Sequence, residues 1–308
     1  MGRAIRICMM NTPVTCLADC RDSLGEGCLW DAESQSVWWI DIARPSRIHR
    51  LKPSSGAHRT WQSSLLVTTA ALRRGGLVLG GEDGVYFFDP ATGAITPFCF
   101  PEKDRPGNRF NDGTCDARGR LWIGTMQQNI GPAMEDLPIT RNSGVLYRVD
   151  EDGSSQAMET GVGVSNGPCW SPDGKTFYFA DSRNQVIFAY DFDVDDGVIS
   201  NRRVFNDSKD HGYPDGATVD VEGCVWSARW QGACVLRIDP EGRIDRVVPM
   251  PAERPTCVCF GGPRMDVMYV TSSRALLPSD SHARHPLQGG LFCFDPGISG
   301  LPKHAFGH

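Results

Sequence analysis

Short apolar runs of alternating pattern recur along the chain, each broken by a turn rich in Asp, Pro and Gly. "VYFFD" and "TFYFAD" carry the aromatic residues of half-buried strands. "DPATG", "DEDGS", "SPDGK", "DPEGR" and "DARGR" place Asp, Pro and Gly where hairpins need a positive or fixed φ. No segment sustains an apolar period of 3.6, so helices are not expected. Strand, turn and strand ending in an aromatic or aliphatic cluster form a unit that repeats six times.

Taking Glu26, Thr69, Asp112, Asn166, Asp215 and Thr256 as equivalent points gives a repeat of roughly 40–50 residues. That period, with four strands per copy, predicts an all-β fold: a six-bladed β-propeller with four-stranded blades around a central channel. One such sheet cannot bury both faces alone, whereas six set radially bury them against each other. The whole chain, 1–308, reads as one domain with a core over about 15–300 and short tails. The stretches "QQNIGPAMEDLPITRNS" and "LLPSDSHARHPLQ" read as loops over one end, where specificity is often carried.

In such a ring the first strand of each blade lines the channel, so polar groups at those strand starts converge. "LGEG" brings Glu26, "RFND" brings Arg109, Asn111 and Asp112, "SNGP" brings Asn166 and "YPDG" brings Asp215. Two carboxylates and an amide oxygen meeting there repel unless a cation or proton balances them. Oxygen-only donors favour a hard divalent ion such as calcium, magnesium or manganese. The plainer alternative is that Asn-Gly and Asp-Gly are hairpin turns that need no metal. From the pattern alone both readings stand.

Composition changes this picture little. A net charge of −6 and no basic stretch with interleaved aromatics argue against nucleic acid. No run of about 18 apolar residues is present to span a membrane, and "MGRAIRICMMNTPV" lacks the apolar core and cleavage site of a secretory signal. The twelve cysteines sit mostly in strand-like runs, as in "PTCVCFGG", without paired C-x-x-C knuckles. They read as buried thiols of a reducing cytoplasm, not as a disulfide framework or a zinc cluster. No G-x-S-x-G elbow announces a serine nucleophile.

"LGEGCLWDAESQSVWWIDI", "NRFNDGTCDARGRLWIGTM", "GVLYRVD", "VSNGPCWSPDGKTFYFADS", "YPDGATVDVEGCVWSARWQGACVLRIDPEG" and "CVCFGGPRMDVMYVTSSR" occur in this order from about Leu24 to Phe294. Together they resemble the family that includes regucalcin (senescence marker protein), gluconolactonase and luciferin-regenerating enzyme, with a pattern nearest to bacterial sugar-acid lactonases. The resemblance implies a six-bladed propeller with one divalent metal (Ca, Mg, Mn, Zn or Fe(II)) held by Glu26, Asn166 and Asp215. It implies that Arg109 and Asn111 position substrate, and that Asn129 of "QQN" replaces a carboxylate that helps hold substrate in regucalcin. It also implies hydrolysis of a sugar-derived lactone to the aldonic acid, with Asp215 accepting a proton from water. Cys28 stands where the family has proline. Arg229 of "WSARWQG" stands where relatives often have a small or apolar residue; a guanidinium near the channel mouth either binds an anionic substituent on the sugar or sits in a surface salt bridge. The competing functions are a non-catalytic calcium-binding or regulatory propeller, a hydrolase of another ester, and an interaction scaffold. The last needs no such convergence of Glu, Asn and Asp. Oligomeric state is not legible.

Overall fold

In the computed structural model, which describes residues 8–9, 13–275, 277 and 279–307, six antiparallel sheets form the ring that the repeat predicts. The first blade comprises Gly25–Asp31, Ser36–Asp41, Ser46–Lys52 and Ala57–Ser63. The second comprises Thr69–Arg73, Gly76–Gly80, Val85–Phe88 and Ile95–Cys99. Asn108–Cys115, Leu121–Gln127, Gly144–Val149 and Ser155–Val162 build the third. The fourth holds Ser165–Trp170, Thr176–Asp181, Val186–Asp193 and Val198–Asn206. The fifth holds Tyr213–Val219, Val225–Trp230, Cys234–Ile238 and Ile244–Pro249, with Cys8–Met9 added in parallel at its outer edge.

The sixth blade is composite. Pro255–Gly261, Val267–Ser272 and Leu291–Phe294 are completed by Thr15–Ala18 from the other end of the chain. This pairing ties the first and last parts of the chain together and leaves the ring no open seam. A short helix, Ser279–Arg284, interrupts the second of the two segments read as loops. The N-terminal stretch read for a secretory signal lies mostly outside the described residues. No described helix is long and apolar enough to cross a membrane.

The core lies between blades, where strand alternation turns every second side chain toward a neighbouring sheet. Trp122 of the third blade meets Phe177 and Phe192 of the fourth, with ring centroids 5.0 and 5.5 Å apart.

The turn in "DARGRLW", which reads simply as a hairpin, and the one in "DVEGCVW" each contain a buried aspartate that locks its blade. Asp220 is fully buried and accepts the Trp226 indole N–H and Arg237 Nε, each at 2.8 Å, plus the amides of Glu222 and Cys224. Asp116 repeats the pattern with Trp122 and Arg120. Asp220→Ala leaves the Trp226 indole without its buried partner while Arg237 keeps Glu222 and Asp245, and a loss of about 1–3 kcal/mol is expected in urea unfolding.

Candidate functional site

Glu26, Asn166 and Asp215 each sit in the innermost strand of their blade, at a break in register. The pairing slips between Glu26 and Leu29, between Phe110 and Gly113, between Asn166 and Cys169, and between Pro214 and Ala217. A β-bulge re-aims a side chain and sharpens local twist, so the same irregularity in four blades turns polar groups toward one end of the channel. Gly27 and Gly167 take φ values of +60° and +56° in these bulges. A Cβ on Gly167 would come 2.8 Å from the Asp215 carbonyl oxygen, so glycine is required there. The "EG", "NG" and "DG" pairs are thus bulges within strands, which overturns the hairpin-turn alternative.

A cavity of about 520 Å³ opens at this end, lined among others by Glu26, Arg109, Asn111, Asn129, Asn166 and Asp215. Six of the eight residues singled out from the sequence therefore share one cavity. Asp112 does not join them. It borders a small separate cavity with Lys303 and His304, and its carboxylate accepts the amides of Gly113 and Gly167 at 2.8 and 2.9 Å.

A continuous hydrogen-bond chain fixes the polar wall. Asn129 Oδ1 accepts from Arg109 Nε and Nη2 at 3.0 and 2.8 Å. Arg109 Nη1 donates to Asn111 Oδ1 at 2.7 Å and to the Phe110 carbonyl at 2.9 Å. Asn111 Nδ2 donates to the Ser165 carbonyl and to Asn166 Oδ1, both at 2.8 Å. Asn166 Nδ2 donates to Ser182 Oγ, which passes its own hydrogen to the Pro214 carbonyl. A guanidinium has five N–H donors, and these bonds leave Arg109 one Nη2 hydrogen for a ligand. Asn111 has both amide hydrogens committed, so its geometry is that of a brace for Asn166 and Arg109.

Electrostatically the cavity floor is strained. Burial, then the charges of Asp215 and Asp112, hold the Glu26 carboxyl well above the usual carboxylate range. Asp215 is raised likewise, by burial and then by Asp112. Burial pulls Arg109 down to about 10 against the attraction of Glu26, Glu82 and Asp215. Two crowded carboxylates beside an amide oxygen form a hard-oxygen set, and a divalent cation is the group that relieves their repulsion. The donors therefore fit such an ion. Among the described residues no group of three or more His, Cys, Asp or Glu is placed to hold a metal. All described cysteines are free thiols, as their spacing predicts.

Arg229 requires a correction. It is 1% exposed, and its Nε and Nη2 donate to the carbonyls of Ser208, His211 and Gly212. It does not line the cavity, because its position on the second strand of the fifth blade turns it behind the wall, where it braces the 208–212 loop. The arginines that do line the cavity besides Arg109 are Arg183 and Arg254, joined by Trp230, Gln231 and Tyr213. Arg183 and Arg254 escaped the sequence reading. Arg254 lies in "AERPT", directly before the innermost strand of the sixth blade, the kind of position that singled out the other site residues.

A family model described as SMP-30/Gluconolactonase/LRE-like region matches residues 24–274. Over 302 residues the chain is 34% identical to regucalcin of Xenopus laevis, covering 97% of this chain and 99% of that one. It is equally 34% identical, over 300 residues, to the 6-deoxy-6-sulfogluconolactonase of Pseudomonas putida, covering 96% and 99% of the two chains. Among solved structures, the calcium-binding protein regucalcin of Agrobacterium tumefaciens superposes with a TM-score of 0.88 at 30% identity, covering 96% of this chain and 97% of that one. With the family model matching residues 24–274 and relatives 34% identical nearly end to end, this chain belongs to the SMP-30/gluconolactonase/LRE-like family.

Proposed function

We propose that this protein is a metal-dependent hydrolase that opens a sugar-derived lactone, an aldonolactone, to its aldonic acid. The observation that carries the reading is the meeting of Glu26, Asn166 and Asp215 with the Arg109 hydrogen-bond hub in one cavity. Lactonases among the relatives support it. Glu26, Asn166 and Asp215 would hold one divalent cation. When bound, that ion supplies positive charge for the carbonyl oxygen and acidity for the attacking water.

The chain's own residues supply the rest. The remaining Nη2 hydrogen of Arg109 binds a ring oxygen or hydroxyl and orients the lactone in the cavity. As the water oxygen bonds to the carbonyl carbon, Asp215 takes its proton. When the ring C–O bond breaks, Asp215 returns that proton to the departing oxygen, so no net charge is lost from the site. Asn129 holds Arg109 in place. Asn129→Ala strips two Arg109 donors of their acceptor, and kcat/KM is expected to fall about 10- to 100-fold. Asn129→Asp, which keeps the acceptor, should restore most of the loss at an unchanged melting temperature.

Acid release from a panel of aldonolactones, followed with a pH indicator in Ca²⁺, Mg²⁺, Mn²⁺, Zn²⁺ and Fe²⁺, tests the reading. Rates above the uncatalysed background are expected for at least one lactone and abolished by chelation. Background rates throughout would leave the second reading, calcium binding without turnover, which the calcium-binding Agrobacterium neighbour favours. The free thiols support a reducing, cytoplasmic setting.

A further inference from the structure

The cavity carries charges that the reaction chemistry does not use. Its wall sets Arg109, Arg183 and Arg254 against Glu26, Asp136 and Asp215. These formal charges cancel, so a divalent cation on the Glu26–Asn166–Asp215 set leaves the cavity doubly positive. Arg109 is absorbed by Asn111 and Asn129. Arg183 is exposed and its Nη1 donates to Asn142 Oδ1 at 2.7 Å.

Arg254 is different. It is only 6% exposed and makes no salt bridge among the described residues. Its Nη1 donates to the Ala275 carbonyl at 2.6 Å, its Nε has no hydrogen-bond partner, and its Nη2 donates to no described residue. The guanidinium carbon lies 4.7 Å from the centre of the Trp230 ring, a cation–π contact that fixes it from one side. Tyr213, the cross-strand partner of Trp230, adds an exposed phenol to the same cavity wall. Of the nearby acids, Glu253 is engaged by Ser281 Oγ, and Asp136 stands exposed on a loop. Burial accordingly holds the Arg254 pKa below the ordinary arginine range, against the pull of Glu253 and Asp136.

A buried guanidinium without a carboxylate is costly to keep. Arg229, whose Nη1 is also unpartnered, gives its other donors to three loop carbonyls and lies off the cavity, whereas Arg254 has one carbonyl and faces it. Arg109, on the innermost strand of the third blade, and Arg254, directly before that of the sixth, line the same cavity from opposite sides of a six-membered ring.

Resting on the lactonase reading, we infer that Arg254, backed by Trp230, is a specificity-determining residue that binds an anionic substituent (sulfonate, phosphate or carboxylate) on a sugar carbon remote from the lactone ester. The anion-binding role open to Arg229 in the sequence is filled by a different arginine.

The test compares D-glucono-1,5-lactone with its 6-phosphate and its 6-deoxy-6-sulfonate, using the Ca²⁺-saturated wild type, Arg254→Met and Arg254→Lys. The wild type should prefer the anionic lactones. Arg254→Met should lower the anionic-to-neutral ratio of kcat/KM about 10- to 100-fold, chiefly through KM, with Arg254→Lys in between. The phosphate and sulfonate arms identify the matched oxyanion as the one whose ratio falls further. An unchanged ratio in Arg254→Met overturns the assignment. Should no lactone be turned over, the hydrolase reading fails on its own, and calorimetry with 6-phosphogluconate and gluconate still decides this one. A binding preference for 6-phosphogluconate that Arg254→Met abolishes supports it; equal preference in both proteins refutes it.

Discussion

Asp215→Asn is expected to lower kcat/KM for lactone opening by about 10³-fold or more, because one substitution removes both the proposed proton acceptor and a proposed cation-holding carboxylate. The side chain is 6% exposed and projects from a bulged strand whose backbone is fixed by cross-strand pairing, so the near-isosteric amide should leave the fold intact. The expected pattern is a kcat collapse with a native circular dichroism spectrum. Substantial kcat in Asp215→Asn would remove Asp215 from the proton-transfer role while leaving the cation set open to test by itself.

That second test is thermal. At a Ca²⁺ concentration of 100 times Kd, binding is worth about 2.7 kcal/mol, which for a chain of this length corresponds to roughly a 4 °C rise in melting temperature. Chelation should reverse the rise and abolish turnover together. Glu26→Gln should lose the response to Ca²⁺, and in chelator it should melt above the wild type, since it deletes one of the carboxylates whose repulsion raises the others. The sign of the pH dependence follows from those raised values. A carboxyl whose folded pKa is elevated favours the folded state below its unfolded pKa, and that contribution is lost as pH climbs through the folded value. The chelated protein is therefore least relieved at high pH, and the Ca²⁺-induced rise should grow between about pH 5 and pH 8. A melting temperature indifferent to divalent cations at every pH would refute the assignment of Glu26, Asn166 and Asp215 as a cation site.

The two tests are independent of the anion subsite. A protein that needs Asp215 and Ca²⁺ but treats charged and neutral lactones alike would retain the reaction and lose only the role of Arg254.

The blades were legible because strand alternation and Asp/Gly turns are local properties. A four-strand unit of roughly 40–50 residues has one economical way to bury both faces, which is radial repetition. Thr15–Ala18 was not assigned to the sixth blade, because a pairing between chain ends leaves no local mark. Asp116 was legible only as a turn former and Asp220 was not singled out; the task they share, capping buried tryptophans and arginines, depends on side chains that arrive from other strands.

At the site, residue types at blade starts marked Glu26, Arg109, Asn111, Asn166 and Asp215, and the order of six blocks made the family recognisable. Which arginine faces the cavity was beyond local pattern. Arg229 and Arg254 differ in the direction a strand position imposes and in which carbonyls lie within reach, and both depend on how blades five and six sit around the channel. Sequence alone determined the repeat, its six-fold closure and the polar groups at the hub, since each follows from short-range alternation and turn chemistry. Tertiary structure alone decided that glycine pairs are bulges, that Asp112 turns away from the large cavity, and that a buried arginine without an acidic partner faces it, because bulge geometry and charge pairing are set by strands distant in the chain.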